Sequence, residues 1–296
     1  MENNKSHKKN IGRTIVCTVL SFLLSVFLTM SCYILGLYFG LFNTSIIINS
    51  LDNGSYYDDI ISYTVDTSES FSILLGLPDE VFDGVFNVNE TRNEVHNFVN
   101  NTIDGKDYVP NVEKAKSRLV ENVNKIVVDG GYEINEEQQK NVEDFANNVC
   151  KVYSDSMKIP FFKYFVSVRD VVNQVISIAL PIFIVFSLVA IIVLIRTEKW
   201  LHRSLRYICY GTLAAMIMTA ALPIYLLSQG IYKRITISPK YVYDFIVAHV
   251  DNSLSAFLWA AGILALISLI LMVAVFEIRR SKMKKGKEHK SHKSGE

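Results

Sequence analysis

The chain of 296 residues is 50% hydrophobic and 20% charged, its mean hydropathy is +0.24, and 30 Lys+Arg against 29 Asp+Glu leave a formal charge of +1. That near-neutral average conceals four runs without Asp, Glu, Lys or Arg, residues 14–51, 171–195, 207–232 and 252–276, each at least 25 residues long, where a helix needs only about 20 apolar residues to cross a bilayer. An integral membrane protein is expected, and a soluble two-domain enzyme, a disordered chain and, with four Cys in all, a disulfide scaffold are excluded.

Residues 1–13 carry Lys5, Lys8, Lys9 and Arg13 against Glu2, a net of +3. A secretory signal opens the same way, but its apolar core spans only about 7–15 residues before a cleavage site. Here apolar character persists from Ile15 to Phe42, so residues 14–42 read as a retained first span. Cys32 has no Leu three positions upstream, which speaks against a lipoprotein site. Spans two, three and four are expected at 173–195, 207–228 and 255–276.

The segments between the spans differ sharply in charge. Residues 43–175 hold 11 Lys+Arg and 22 Asp+Glu, a net of −11; the link 196–206 is +3, the loop 229–254 is +1 and the tail 277–296 is +5. Short basic segments beside membrane spans stay on the cytoplasmic side. Residues 1–13, 196–206 and 277–296 are therefore expected in the cytoplasm, with 43–172 and 229–254 extracytoplasmic, in a multi-pass cell-membrane protein. None of the cytoplasmic pieces reaches the roughly 50 residues of an independent domain.

The acidic segment reads as helical. Val81, Phe82, Val85 and Phe86 form an apolar turn after the break at Leu77-Pro78-Asp79, and Val95, Phe98, Val99 and Ile103 mark a helix over residues 90–103. Residues 111–128 follow Pro110 with Val112, Ala115, Leu119, Val123 and Ile126 on one face, ending at Gly130-Gly131. Asn135 and Gln138 form a capping box before the stripe Val142, Phe145, Val149, Tyr153 and Met157. The expected fold is all-α: four transmembrane helices with a small helical extracytoplasmic bundle inserted between the first and second.

Phe161, Phe162, Tyr164 and Phe165 form an aromatic cluster placed to sit at headgroup depth as a membrane-interface belt. They lead without a breaker into the second span, so the bundle's last helix is expected to be coupled to or continuous with it. In the second loop, Tyr241, Val242, Phe245 and Ile246 after Pro239 form an amphipathic stretch expected to dock on the bundle or the membrane surface. Lys282, Lys284, Lys285 and Lys287 in the tail are assigned to lipid headgroups rather than nucleic acid. His289 and His292 in that flexible tail make no convincing metal site.

Within the spans no acidic or basic group occurs, which argues against an ion-coupled transporter. Small residues at four-residue spacing, Ser21, Ser25 and Thr29, Gly36 and Gly40, Gly211 and Ala215, and Ala261 and Ala265, indicate close helix packing.

Catalytic chemistry is sparse. Cys150 lies near an apolar helix face as a small core residue. Asp52, Asn53, Ser55, Asp58 and Asp59 offer oxygen ligands but lack EF-hand order, so a turn before a helix describes them better. His96 and His249 are the only His outside the spans and the cytoplasmic segments, and they could form an acid–base pair on a lipid-linked substrate. No nucleophile motif, zinc motif or Gly-rich phosphate loop accompanies them, and no cofactor or metal is expected. The four-span topology is shared with claudin-like proteins and some lipoprotein transacylases; claudins carry a Trp and paired Cys in the first outer loop, and this loop has no Trp and one Cys. Three functions remain in order: a non-enzymatic protein whose outer domain binds an envelope or membrane-protein partner, an outer-leaflet lipid- or lipoprotein-modifying enzyme, and a transporter accessory subunit.

Overall fold

The structure, a computed structural model, describes residues 2–131, 135–198 and 200–293, with side chains described for 11–131, 135–198 and 200–281. Among them all regular structure is helical and no strand occurs. The order is α1 (Glu2–Gly36), prolonged by a π-helical turn (Leu37–Leu41), α2 (Thr44–Asp52), α3 (Tyr56–Leu74), a 3-10 turn (Asp79–Phe82), α4 (Val88–Ile103), α5 (Glu113–Asp129), α6 (Glu136–Ser156), α7 (Phe162–Thr197), α8 (Leu201–Gln229), a 3-10 turn (Ile231–Arg234) and α9 (Lys240–Lys293). Four helical stretches are long and apolar enough to cross a membrane, Ile11–Leu41, Phe162–Thr197, Leu201–Arg234 and Lys240–Ser281. The chain is a multi-pass membrane protein.

Contacts divide it into two units. A span unit comprises Met1–Asn43, Val172–Arg234 and Val250–Glu296; a polar unit comprises Thr44–Val171 and Ile235–His249. Helices α7 and α9 each contribute residues to both.

Within the span unit, large apolar side chains such as Val185, Leu188, Leu266 and Val273 are exposed on the outer faces of the helices, a surface that suits lipid rather than water. The inner contacts use small residues. Ser21 Oγ donates to the Tyr207 carbonyl at 2.7 Å, and a methyl group added at Gly211 would lie 2.9 Å from the Ser21 carbonyl oxygen. One at Gly36 would fall within the Phe257 ring, and one at Gly40 would lie 2.9 Å from the Ser253 carbonyl oxygen. Ser268 Oγ donates to Thr212 Oγ1 at 2.9 Å, joining α8 to α9. Ser25 and Thr29, by contrast, bond carbonyls of their own helix. Glu198 is buried against Arg13, Oε1 to Nε 3.4 Å, with Cys17 Sγ at 3.8 Å. Glu198 is the lone acid of a basic link, and the fold makes it the ion-pair partner of a residue 185 positions away.

The polar unit has its own core. Leu119 and Val123 of α5, Val95 and Val99 of α4, Val81 and Val85 of the segment between α3 and α4, and Phe145, Val149 and Tyr153 of α6 are buried together. Asn135 Oδ1 accepts from the Gln138 N–H at 2.8 Å and Gln138 Oε1 from the Asn135 N–H at 2.9 Å, the capping box that starts α6. Helix α3 escapes an apolar-periodicity reading because much of its buried face is polar: Thr64, Ser68 and Ser72 follow Ile60 at four-residue intervals, and all are fully buried. Their small side chains let α3 pack closely on α6.

Two expectations that left alternatives open are narrowed. The bundle's last helix does not run on into the second span: α6 ends at Ser156, and α7 begins at Phe162 after Pro160 and Phe161. Pro160 removes a backbone donor, and Phe161 adopts a left-handed φ of 60°, so the helix restarts. The stretch after Pro239, expected to dock on either the bundle or the membrane surface, docks on the bundle. Tyr241, Val242 and Phe245 enter the core of the polar unit, and Tyr241 OH donates to the Ser156 carbonyl at 3.2 Å.

Candidate functional site

A polar arrangement in the polar unit gathers around Asp52. Helix α2 ends at Asp52 and α3 begins at Tyr56, joined by a turn in which Gly54 takes a φ of +144° that a side chain would resist. This elbow brings Tyr57 back onto Asp52. Helix α4 supplies Arg92 and His96, four residues apart and so on one face.

The distances define a closed triangle. Tyr57 OH donates to Asp52 Oδ1 at 2.8 Å, His96 Nε2 lies 3.1 Å from the same oxygen and 2.9 Å from the Tyr57 hydroxyl, and Arg92 Nε is 3.4 Å from Asp52 Oδ1. The Arg92 guanidinium also sits 5.2 Å from the Tyr57 ring centroid. Because Tyr57 has a single proton and gives it to the carboxylate, the network places a proton on His96 Nε2. Burial first, then the hydrogen bond to Asp52, pushes the Tyr57 hydroxyl far above its ordinary pKa, so it serves as a donor and not as a base. Asp52 and His96 retain partial solvent access while the Tyr57 ring is buried.

Such a node fixes the elbow to α4, and it leaves an Asp–His pair at the surface. Tyr57→Phe is expected to cost about 1.5–3 kcal/mol, the value of a hydrogen bond to a charged acceptor. Thermal unfolding of the full chain in detergent, with amide exchange read at α2 to α4, checks this, and unchanged exchange there would count against the node.

The other residues singled out by sequence occupy varied settings. His249 is buried in an aromatic wall, stacked on Phe245 (centroids 5.9 Å apart) and edge-on to Phe165 (6.2 Å). His96 and His249 thus have different surroundings, polar for one and aromatic for the other. The aromatic cluster splits: Phe161 and Tyr164 are exposed, whereas Phe162 is buried between Phe98 and Phe165, and Phe165 packs against the same core. Phe162 is a core residue of the polar unit and Phe165 packs, partly buried, against that core, with Phe162 meeting Phe98 of α4; Phe161 and Tyr164 keep the exposure an interface ring needs. Cys150 is buried and its thiol is pushed up to about 11 by desolvation, so it stays protonated. The side chains of Lys282, Lys284, Lys285 and Lys287 lie outside the described residues.

Sequence reasoning named Asp52 and His96 separately and missed Tyr57 and Arg92. The Arg92/His96 spacing was a visible signal, but its meaning depended on which helix faced it. Comparison of the chain with known protein families, with curated proteins and with solved structures finds no match.

Proposed function

We propose that this is a non-enzymatic cell-membrane protein whose acidic polar unit lies outside the membrane and binds a protein partner in the envelope or membrane, with both termini and the basic 196–206 link cytoplasmic. The observation that carries this reading is the charge partition: a net of −11 over residues 43–175 against +3, +3 and +5 on the N-terminal segment, the link and the tail. A unit with its own core, presenting an acidic surface, is equipped for recognition by charge complementarity. Protease added to intact cells or spheroplasts is expected to cut within residues 43–172 and to spare an epitope fused to the tail. Loss of the epitope with the 43–172 segment intact would overturn the orientation.

A second reading is favoured by the His96–Asp52 contact: an enzyme acting on a lipid or lipoprotein at the outer leaflet through His96 or His249. His96→Ala and His249→Ala decide between the two. Unchanged phenotype in both variants supports binding alone, whereas full loss of phenotype at normal membrane abundance supports the enzyme.

A further inference from the structure

The C-terminus of α3 displays apolar side chains that the polar unit does not use. The helix closes at Gly76, whose φ is +66°: the Gly76 N–H donates to the Ile73 carbonyl at 3.1 Å and the Leu77 N–H to the Ser72 carbonyl at 3.0 Å. This is a Schellman closure, and Leu77 packs back against the core. The returning loop is pinned as well, since Asn122 Nδ2 donates to the Val81 and Asp83 carbonyls at 3.0 and 2.9 Å. Left outside this tied turn are Ile73, Leu74 and Leu75, which are 71%, 84% and 46% exposed. They are held out by a fully bonded turn and are not the frayed end of a helix.

The flanking sequence is uniformly acidic. From Tyr56 to Thr91 there is no Lys or Arg, while Asp58, Asp59, Asp66, Glu69, Asp79, Glu80, Asp83 and Glu90 contribute eight acids. Of these, only Glu90 has an ion-pair partner among the described residues, Arg118 and Lys114. Some acids elsewhere in the unit are paired, Asp52 with Arg92, Asp104 with Lys106, Asp107 with Lys163 and Asp155 with Lys158, but the segment 56–91 is set apart by having no Lys or Arg of its own. Asp66 and Glu69 before it and Asp79, Glu80 and Asp83 after it flank in sequence the Ile73–Leu75 turn, which among the described residues of the polar unit is the run of consecutive large apolar side chains that is exposed.

We propose that the Ile73–Leu75 turn is the contact through which the polar unit holds its partner, and that the partner is a protein offering an apolar pocket edged by Lys and Arg. The proposal rests on the partner-binding reading above and specifies its surface. An apolar anchor on a preformed turn loses little conformational freedom on docking, and the acidic surround selects a basic rim. The same charge disfavours a second copy of this chain, which would oppose acid to acid, and disfavours anionic lipid headgroups.

The test places photoreactive benzoylphenylalanine at Leu74 in the full-length chain in its own membrane, and in a control chain at Val128, an exposed residue of α5. The expected result is a discrete protein adduct from position 74 and none from 128. The cross-linked peptide, identified by mass spectrometry, should be an apolar segment with Lys or Arg within a few residues. Adding Asp79→Lys and Glu80→Lys to the position-74 chain should lower the adduct yield about tenfold or more, as expected when like charges replace complementary ones. A lipid adduct, a self-adduct, an acidic partner segment, or equal yields from both positions would overturn the proposal. A discrete protein adduct from 128 alone would remove this turn but keep the binding reading; no protein adduct from either position would remove both.

Discussion

Leu119→Ala is expected to destabilise the polar unit by about 2–5 kcal/mol, the range for deleting a fully buried Leu side chain. Leu119 has no solvent exposure and lies mid-way along α5, between Ala115 and Val123 on the buried face. The residues sharing its core include Val95, Val99, Phe145 and Val149, drawn from two other helices. Three helices cannot all move into the vacancy, so most of the cavity should persist and the cost should fall in the upper half of the range. A domain of this size has a stability of only about 5–15 kcal/mol, so the loss is a substantial part of the whole. In full-length protein held in detergent, amide exchange in α4 to α6 should accelerate markedly. Val128→Ala, at an exposed site of the same helix, should change stability by no more than about 0.5 kcal/mol. Equal behaviour of the two variants would mean that the core described here is not the one that holds the unit together.

The second large effect concerns the span unit, where Gly211→Leu should disrupt the packing of α1 against α8. A Cβ at position 211 would stand 2.9 Å from the Ser21 carbonyl oxygen and 3.2 Å from Leu24 Cδ2. The first of these neighbours is backbone and cannot swing aside. The rest of the Leu side chain enlarges the conflict, and separating the helices would also break the 2.7 Å bond from Ser21 Oγ to the Tyr207 carbonyl. Overpacking of this kind costs about 1–3 kcal/mol when neighbours can adjust and more when they cannot. Gly262 is the matched control: it also lies in a span, but nothing stands within 4 Å of an added Cβ, so Gly262→Leu should be nearly neutral. The measurement is the melting temperature of each variant in the same detergent. A Gly211→Leu protein melting with the wild type would sink the α1–α8 contact.

Which parts of this were readable in the chain follows from the kind of signal each element leaves. Helices α4, α5 and α6 were visible because their buried faces are apolar at three- and four-residue spacing, and because Asn135 and Gln138 form a capping pair readable without any tertiary knowledge. Helix α2 was hidden in the charge-free run that begins in the first span, residues 14–51, where uniform apolarity leaves no boundary to detect. Helix α3 was hidden for the opposite reason. Its inward face at Thr64, Ser68 and Ser72 is polar in composition yet fully buried, so no scale of hydrophobicity marks it. The exposure of the Ile73–Leu75 turn was invisible for the converse reason, since a short apolar run at a helix end normally reads as core.

The chain by itself determined the local and additive features. Four apolar runs set the number of membrane helices, the uneven distribution of Lys, Arg, Asp and Glu set the expected sidedness, and amphipathic periodicity set three of the polar unit's helices. These follow from solvent transfer and backbone hydrogen bonding, which act residue by residue along a segment. Only the tertiary structure decided which distant groups meet: His96 with Asp52 and Tyr57, Glu198 with Arg13, Phe162 inside a core instead of at its edge, and Ile73 to Leu75 outside one. Each of those outcomes depends on a neighbour tens to nearly two hundred residues away, and no local pattern encodes the identity of that neighbour.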